Sequence, residues 1–265
     1  MQNGGKKMNN IPKELEVYRE TITKTMESFV KVTLSEETVE ITSSKVGGHP
    51  YFLKNVQYPV NKDGKPLHLL AQINFAEVMK FSEDFPESGI LQFFVDGYDD
   101  VIGMDFEDPT RQGGFRVVYH EQIEADESKR MQDFSFLVGD EDELYLPFLP
   151  HEEYKMHFEK GEAPVSISDF RIEQENLEFD EALWEAYEEA YPSQGHKIGG
   201  YPHFIQNDPR EDERLQDKLL LLFQLDSDEE YDIMWDDVGV GNFFISKEDL
   251  RRKDFSSVLY NWDCC

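Results

Sequence analysis

A chain of 265 residues that is 39% hydrophobic and 13% aromatic has the apolar surface to bury the core of one large domain or two ordinary ones, which excludes a disordered chain. Its 26 Lys and Arg stand against 56 Asp and Glu, and the formal net charge of −30 repels phosphate backbones and anionic bilayers while favouring cationic partners or metal ions. The two cysteines, Cys264 and Cys265, are adjacent at the C-terminus, so no disulfide framework is expected and a reducing, cytoplasmic setting fits.

Taken in chain order, Ile11, Leu15, Val17, Tyr18, Ile22, Met26 and Phe29 recur at spacings near three and four. This predicts an N-terminal amphipathic helix of about five turns with Pro12 at its start. From Val30 the pattern alternates in VKVTL and again in TVEIT (38–42), which reads as strand. LLAQI (69–73) is strand-like, and NFAEVMKFSEDF after it suggests a short helix capped by Asn74. GILQFFVDG (89–97) and FRVVYHEQIEA (115–125) are strands by their aromatic and β-branched content.

The acidic middle of the chain, broken by Pro147 and Pro150, reads as irregular connection with short elements. DFRIEQENLEFD (169–180) suggests a strand. DEALWEAYEEAY (180–191) is a helix with Asp180 as its N-cap and Pro192 as its stop. KLLLLFQLDSD (218–228) and VGVGNFFIS (238–246) close the series as strands. No run of about 18 apolar residues is present, so no membrane span is expected.

One phrase occurs twice: KVGGHPYF at 45–52 and KIGGYPHF at 197–204. The offset of 152 residues between Lys45 and Lys197 also separates Gln72 from Gln224 and Gly89 from Gly241. After that the register slips by two, with Phe93, Phe94 and Val95 matching Phe243, Phe244 and Ile245. The expectation is an internal duplication: units at 41–125 and 193–263 joined by an acidic connection at 126–192, within a single domain. The fold class is α+β, mainly β, with two β-rich lobes sharing a core.

Paired glycines accept positive φ and the residue before Pro is extended, so Gly-Gly-x-Pro specifies a sharp corner, expected to deliver the chain into an edge strand. As a ligand-approaching loop it nominates Lys45, Gly47, Gly48, His49, Lys197, Gly199, Gly200 and His203, with HPY in one copy becoming YPH in the other. If the lobes face each other, these rings line a shared cleft. The run DSDEEYDIMWDDVG (226–239) nominates Asp226, Asp228, Asp236 and Asp237 as oxygen ligands for calcium or magnesium, although Tyr231 stands where a calcium loop needs glycine. No nucleophile elbow, zinc-helix motif or phosphate-binding glycine loop occurs, so no catalytic residue and no cofactor is named.

GGHPYF, LLAQINFAEV, FPESGILQFF, KIGGYPHF, LLLLFQLDSD, GNFFI and FSSVLYNWDCC together resemble the YwqG-like family of bacterial proteins, from about residue 40 onward. The resemblance implies a duplicated, mainly β fold and a bacterial cytoplasmic location, and some relatives are suspected immunity proteins. It implies no activity. The expected function is a binding or regulatory protein, including an immunity-type role, engaging a basic protein partner and neither nucleic acid nor membrane. The alternative is a metal-dependent or small-molecule enzyme with its site between the repeats.

Overall fold

The structure, a computed structural model, describes residues 11–137 and 144–265. A 3-10 helix (Lys13–Tyr18) runs into α1 (Arg19–Lys24), followed by β1 (Glu27–Ser35), β2 (Lys45–Gly47), β3 (His68–Asn74), β4 (Ile90–Val95) and β5 (Phe115–His120). Then come β6 (Glu153–Ala163), α2 (Glu181–Ala190), β7 (Lys197–Gly199), β8 (Leu220–Asp226), β9 (Val240–Ile245), α3 (Lys247–Arg252) and β10 (Leu259–Asp263). No described helix is long and apolar enough to cross a membrane.

These ten strands form one sheet in the order β10-β9-β8-β7-β1-β6-β2-β3-β4-β5, with neighbours antiparallel throughout. At its centre β1 and β6 pair along their length, and outward from them β7 to β10 on one side mirror β2 to β5 on the other. Each half carries a register irregularity at the same place, between Leu69 and Ala71 and between Leu221 and Phe223. The protein is therefore mainly β, and the two expected lobes are halves of one sheet.

That sheet curls until its ends meet and its inner faces share one core. Phe93 of β4 packs on Phe223 and Phe243 of the other half, with ring centroids 5.4 and 4.6 Å apart, and Phe115 of β5 meets Tyr260 of β10 at 5.1 Å. The segment before β5 seals this seam: Pro109 and Val101 carbonyls accept from the Tyr260 amide (2.9 Å) and the Trp262 indole (2.7 Å). Backbone polar groups at what would be open sheet edges thus find partners, and the curl approaches a barrel.

Outside the sheet, separate apolar clusters cover each half. Phe52, Leu69, Phe94 and Phe134 form one, and Phe204, Leu221, Phe244 and Leu259 another. A third holds the N-terminal helix and α2, through Leu15, Ile22 and Tyr187. Strands β3, β4 and β9 are thus buried on both faces, which is why they read as near-continuous apolar runs.

Several local expectations differ from what forms. The N-terminal helix ends at Lys24 because Val30, Val32 and Leu34 point into the core and β1 commits to its long ladder with β6. Beside β1, β6 lies within the stretch read as irregular acidic connection, and its inward Tyr154 and Met156 are separated by Lys155 and preceded by Glu153. TVEIT forms no strand, since the Ile41 and Thr42 carbonyls are taken by the side chains of Gln72 and Asn74. Phe170–Glu175 is a 3-10 helix capped by Asp169 where a strand was expected. After β3, Asn74 accepts from the Ala76 amide, but the chain turns and no helix follows. α2 forms as expected, with Asp180 accepting from the Leu183 amide at 3.0 Å.

Candidate functional site

The two Gly-Gly corners end inner strands, β2 between β6 and β3 and β7 between β1 and β8, so the expected edge-strand delivery does not occur. Gly47, Gly48, Gly199 and Gly200 all have φ between 67 and 74°, where only glycine is unstrained. A Cβ at Gly47 would lie 2.3 Å from the Glu152 carbonyl oxygen, and one at Gly199 2.5 Å from the Phe81 ring.

Beyond each corner the chain folds back over the outer face and is held by buried amides. The Gln72 Oε1 accepts from the Tyr51 amide at 2.8 Å, and its Nε2 donates to the carbonyls of Ile41 (3.0 Å) and Ser43 (2.8 Å). Gln224 does the same 152 residues on: it accepts from His203 at 2.7 Å and donates to Ser193 (3.1 Å) and Gly195 (2.7 Å). From the next strand Gln92 and Asn242 donate to the carbonyls of Tyr51 and His203 at 2.6 and 2.8 Å. Phe52 and Phe204 then fill the outer clusters. The repeated octapeptide is thereby accounted for: its glycines turn the chain, its backbone satisfies a buried polar row, and its Phe plugs a core.

The lysines of the motif are buried but differ in company. Lys45 pairs with Glu153 at 2.7 Å. In the other half the place beside the corner belongs to Phe29, which pairs with Gly199 as Glu153 pairs with Gly47. Lys197 instead donates to the carbonyls of Ser193 and Tyr201, with its Nζ 5.7 Å from the Phe29 ring. Burial pushes the Lys197 amine down to about 7 from 10.5, with Asp226 opposing.

Between pH 7 and pH 10.5 the unfolded chain therefore holds a proton that the folded one lacks, so the fold gains stability as pH rises through this window and carries the full cost of the buried charge below it. Lys197→Met should remove that slope. Relative to the variant, the wild type should gain about 2 kcal/mol between pH 7 and pH 9 in urea unfolding; parallel curves for the two proteins would place the Lys197 charge in contact with water.

His49 and His203 are not brought to one cleft. His49 is exposed and stacks on Phe134, 4.8 Å between centroids. His203 is held by Ser193 Oγ at 3.2 Å in the other half, and burial lowers its pKa. The four aspartates also have separate tasks. Asp226 accepts from the Gly195 amide at 2.6 Å, and Asp228 faces His196 Nε2 at 3.2 Å while capping a 3-10 turn. Asp236 faces the Cys264 thiol at 3.5 Å, and the Asp237 carbonyl accepts from Cys265 at 3.3 Å. Among the described residues, no group of three or more His, Cys, Asp or Glu is placed to hold a metal ion.

Each corner borders a cavity. Gly48, His49, His68 and Leu69 edge one of about 120 Å³, whose walls are Phe134, Leu137, Leu144, Leu146 and Phe148. Gly199, Gly200, Leu220 and Leu221 edge one of about 300 Å³, whose walls include Glu27, Asp84 and Lys247. Positions 48, 68 and 69 thus recur as 200, 220 and 221, but the first cavity is apolar with imidazoles and the second charged. A third, of about 380 Å³, runs beside β1 and β7 past Lys31, His196, Lys197 and Asp228. His68 is a site residue that sequence reasoning did not single out. It is 5% exposed, neither ring nitrogen has a hydrogen-bond partner among the described residues, and burial pushes its pKa down to about 4. Its only sequence signal was that Leu220 stands at the equivalent position.

One curled antiparallel sheet with twin Gly-Gly corners defines a class of mainly β protein in which the motif is architectural. The family model Domain of unknown function (DUF1963) matches residues 44–264, from the first corner to the end of β10, and the chain belongs to that family. No curated protein matches the chain.

Proposed function

We propose that this is a binding or regulatory protein that engages a basic protein partner, in a role that includes the immunity type. One observation carries the reading: the cations of the chain are largely spent on internal ion pairs, whereas the net charge is −30. Arg210 is held by Asp169 and Asp208, Lys45 by Glu153, Lys218 by Asp249, and Arg251 and Lys247 by Asp84. The unbalanced carboxylates leave a negative field that accelerates encounter with a cationic surface and weakens with salt. The same field disfavours nucleic acid. The YwqG-like resemblance, a cytoplasmic setting and descent of the two halves from one duplicated unit belong to this proposal, the last supported by the matching amide clamps at positions 152 apart.

Affinity capture of the tagged protein from its own lysate tests it. A stoichiometric partner of basic pI, lost as salt rises from about 50 to 300 mM, is the expected result. Partners that are acidic or indifferent to salt would overturn it.

A second reading, a small-molecule enzyme at the second corner, is favoured by Lys197, a buried amine that donates to two backbone carbonyls and, among the described residues, to no carboxylate, beside the cavity that also holds His196 and Asp228. It requires that metabolites or divalent ions raise the melting temperature of the wild type and not of Lys197→Met.

A further inference from the structure

The cavity at the first corner differs from the others in what surrounds it. Its wall residues alternate along the chain with large apolar side chains that face solvent: Phe136 is 44% exposed, Tyr145 54% and Leu149 49%. Phe136 continues the aromatic wall, its ring 6.2 Å from that of Phe134. Leaving such a cluster in water is unfavourable, and an apolar patch around a concavity marks a contact surface. The cavity lining also holds polar atoms that the described residues do not satisfy, both ring nitrogens of His68.

We propose that this cavity is the docking point for a segment of a basic protein partner that presents one apolar side chain flanked by Lys or Arg. The inference rests on the binding reading above and gives it a place. Charge complementarity selects the occupant: the chain carries −30, and Asp133 directly precedes the wall residue Phe134. Size selects the anchor. A cavity of about 120 Å³ is slightly smaller than an engineered apolar cavity that takes benzene, about 150 Å³, so a leucine-sized group fits. The net negative charge of the chain supplies attraction, and the buried anchor supplies position and slow release.

The probes are two labelled pentapeptides, Lys-Lys-Leu-Lys-Lys and Lys-Lys-Gly-Lys-Lys, blocked at both ends and titrated with the full chain at low salt by fluorescence anisotropy. Burying a leucine side chain is worth about 1.5–3 kcal/mol, so the Leu peptide should bind about ten-fold or more tightly than the Gly peptide. Phe136→Ser with Leu149→Ser, which alters only exposed side chains and no charge, should bring the two within about two-fold while leaving the Gly peptide unchanged. A preference that survives this double substitution overturns the location. Equal binding of both peptides to the wild type overturns the docking site and leaves the acidic-surface reading standing. If neither peptide binds, that underlying reading fails as well.

Discussion

Arg210→Ala is expected to destabilise the fold by about 3–5 kcal/mol, because it removes the cation that joins Asp208 to Asp169 and leaves Asp169 with Arg171 alone. The Arg210 side chain is fully buried, with its Nε and Nη2 on Asp208 at 2.9 and 2.7 Å and Nη2 also on Asp169 at 2.9 Å. Its guanidinium lies over the Phe244 ring at 4.2 Å, so the ion is closed off by aromatic surface as well. Burial pushes the Asp169 carboxyl up, and Arg171 and Arg210 together bring it below its ordinary value. Without Arg210, two carboxylates that are 0% and 1% exposed remain next to each other. Arg210→Lys keeps the charge but not the planar fork and should fall between the wild type and the alanine variant. Urea unfolding followed by circular dichroism measures both; a loss under about 1 kcal/mol for Arg210→Ala would mean that this cluster does not anchor the 204–210 segment to the 3-10 helix capped by Asp169.

Phe93→Ala should cost a similar amount, about 3–5 kcal/mol, through lost burial and the cavity left behind. Its position gives the result a second meaning. Phe93 belongs to the first half of the sheet, yet its ring packs on Phe223 and Phe243 of the second. If one core holds both halves, amide exchange should accelerate in β8 and β9 as well as in β3 and β4, and unfolding should stay a single transition. Exchange that speeds up only around β4, or two separated transitions, would show halves that fold independently.

How much of this was legible in the sequence depends on what set each element. Strands β4, β5, β8 and β9 were visible because their β-branched and aromatic runs are bounded by turns, and α2 because Asp180 caps it and Pro192 stops it. Strand β6 was hidden: Tyr154 and Met156 alternate correctly, but Glu153, Lys155, Glu159 and Lys160 around them gave the stretch the look of an acidic connection. Helical spacing through Met26 and Phe29 was real as a pattern, and the ladder between β1 and β6 outweighed it, since pairing with two neighbouring strands satisfies more of the backbone than two further helical turns.

The candidate site follows the same division. The nominated glycines, lysines and histidines all lie at the two corners, and positive φ at the glycines was legible from residue type alone. That His49 and His203 face different surroundings was not, because a corner's direction depends on which strands flank it. His68 and the apolar wall of Phe134, Leu137, Leu144, Leu146 and Phe148 were missed for a related reason: residues far apart in sequence become one cavity only when β3 and the segment before β6 are laid side by side.

By itself the sequence determined the charge, the mainly β character, the two matching corners and the residues able to form them, because these depend on composition, period and backbone freedom at single positions. Only the tertiary structure decided that the two halves make one curled sheet, that the motif lysines acquire different neighbours, and that one corner opens on an apolar cavity and the other on a charged one. Those outcomes depend on strand order and on contacts between segments some 150 residues apart, where the free energy lies in which surfaces meet and not in what any one segment prefers alone.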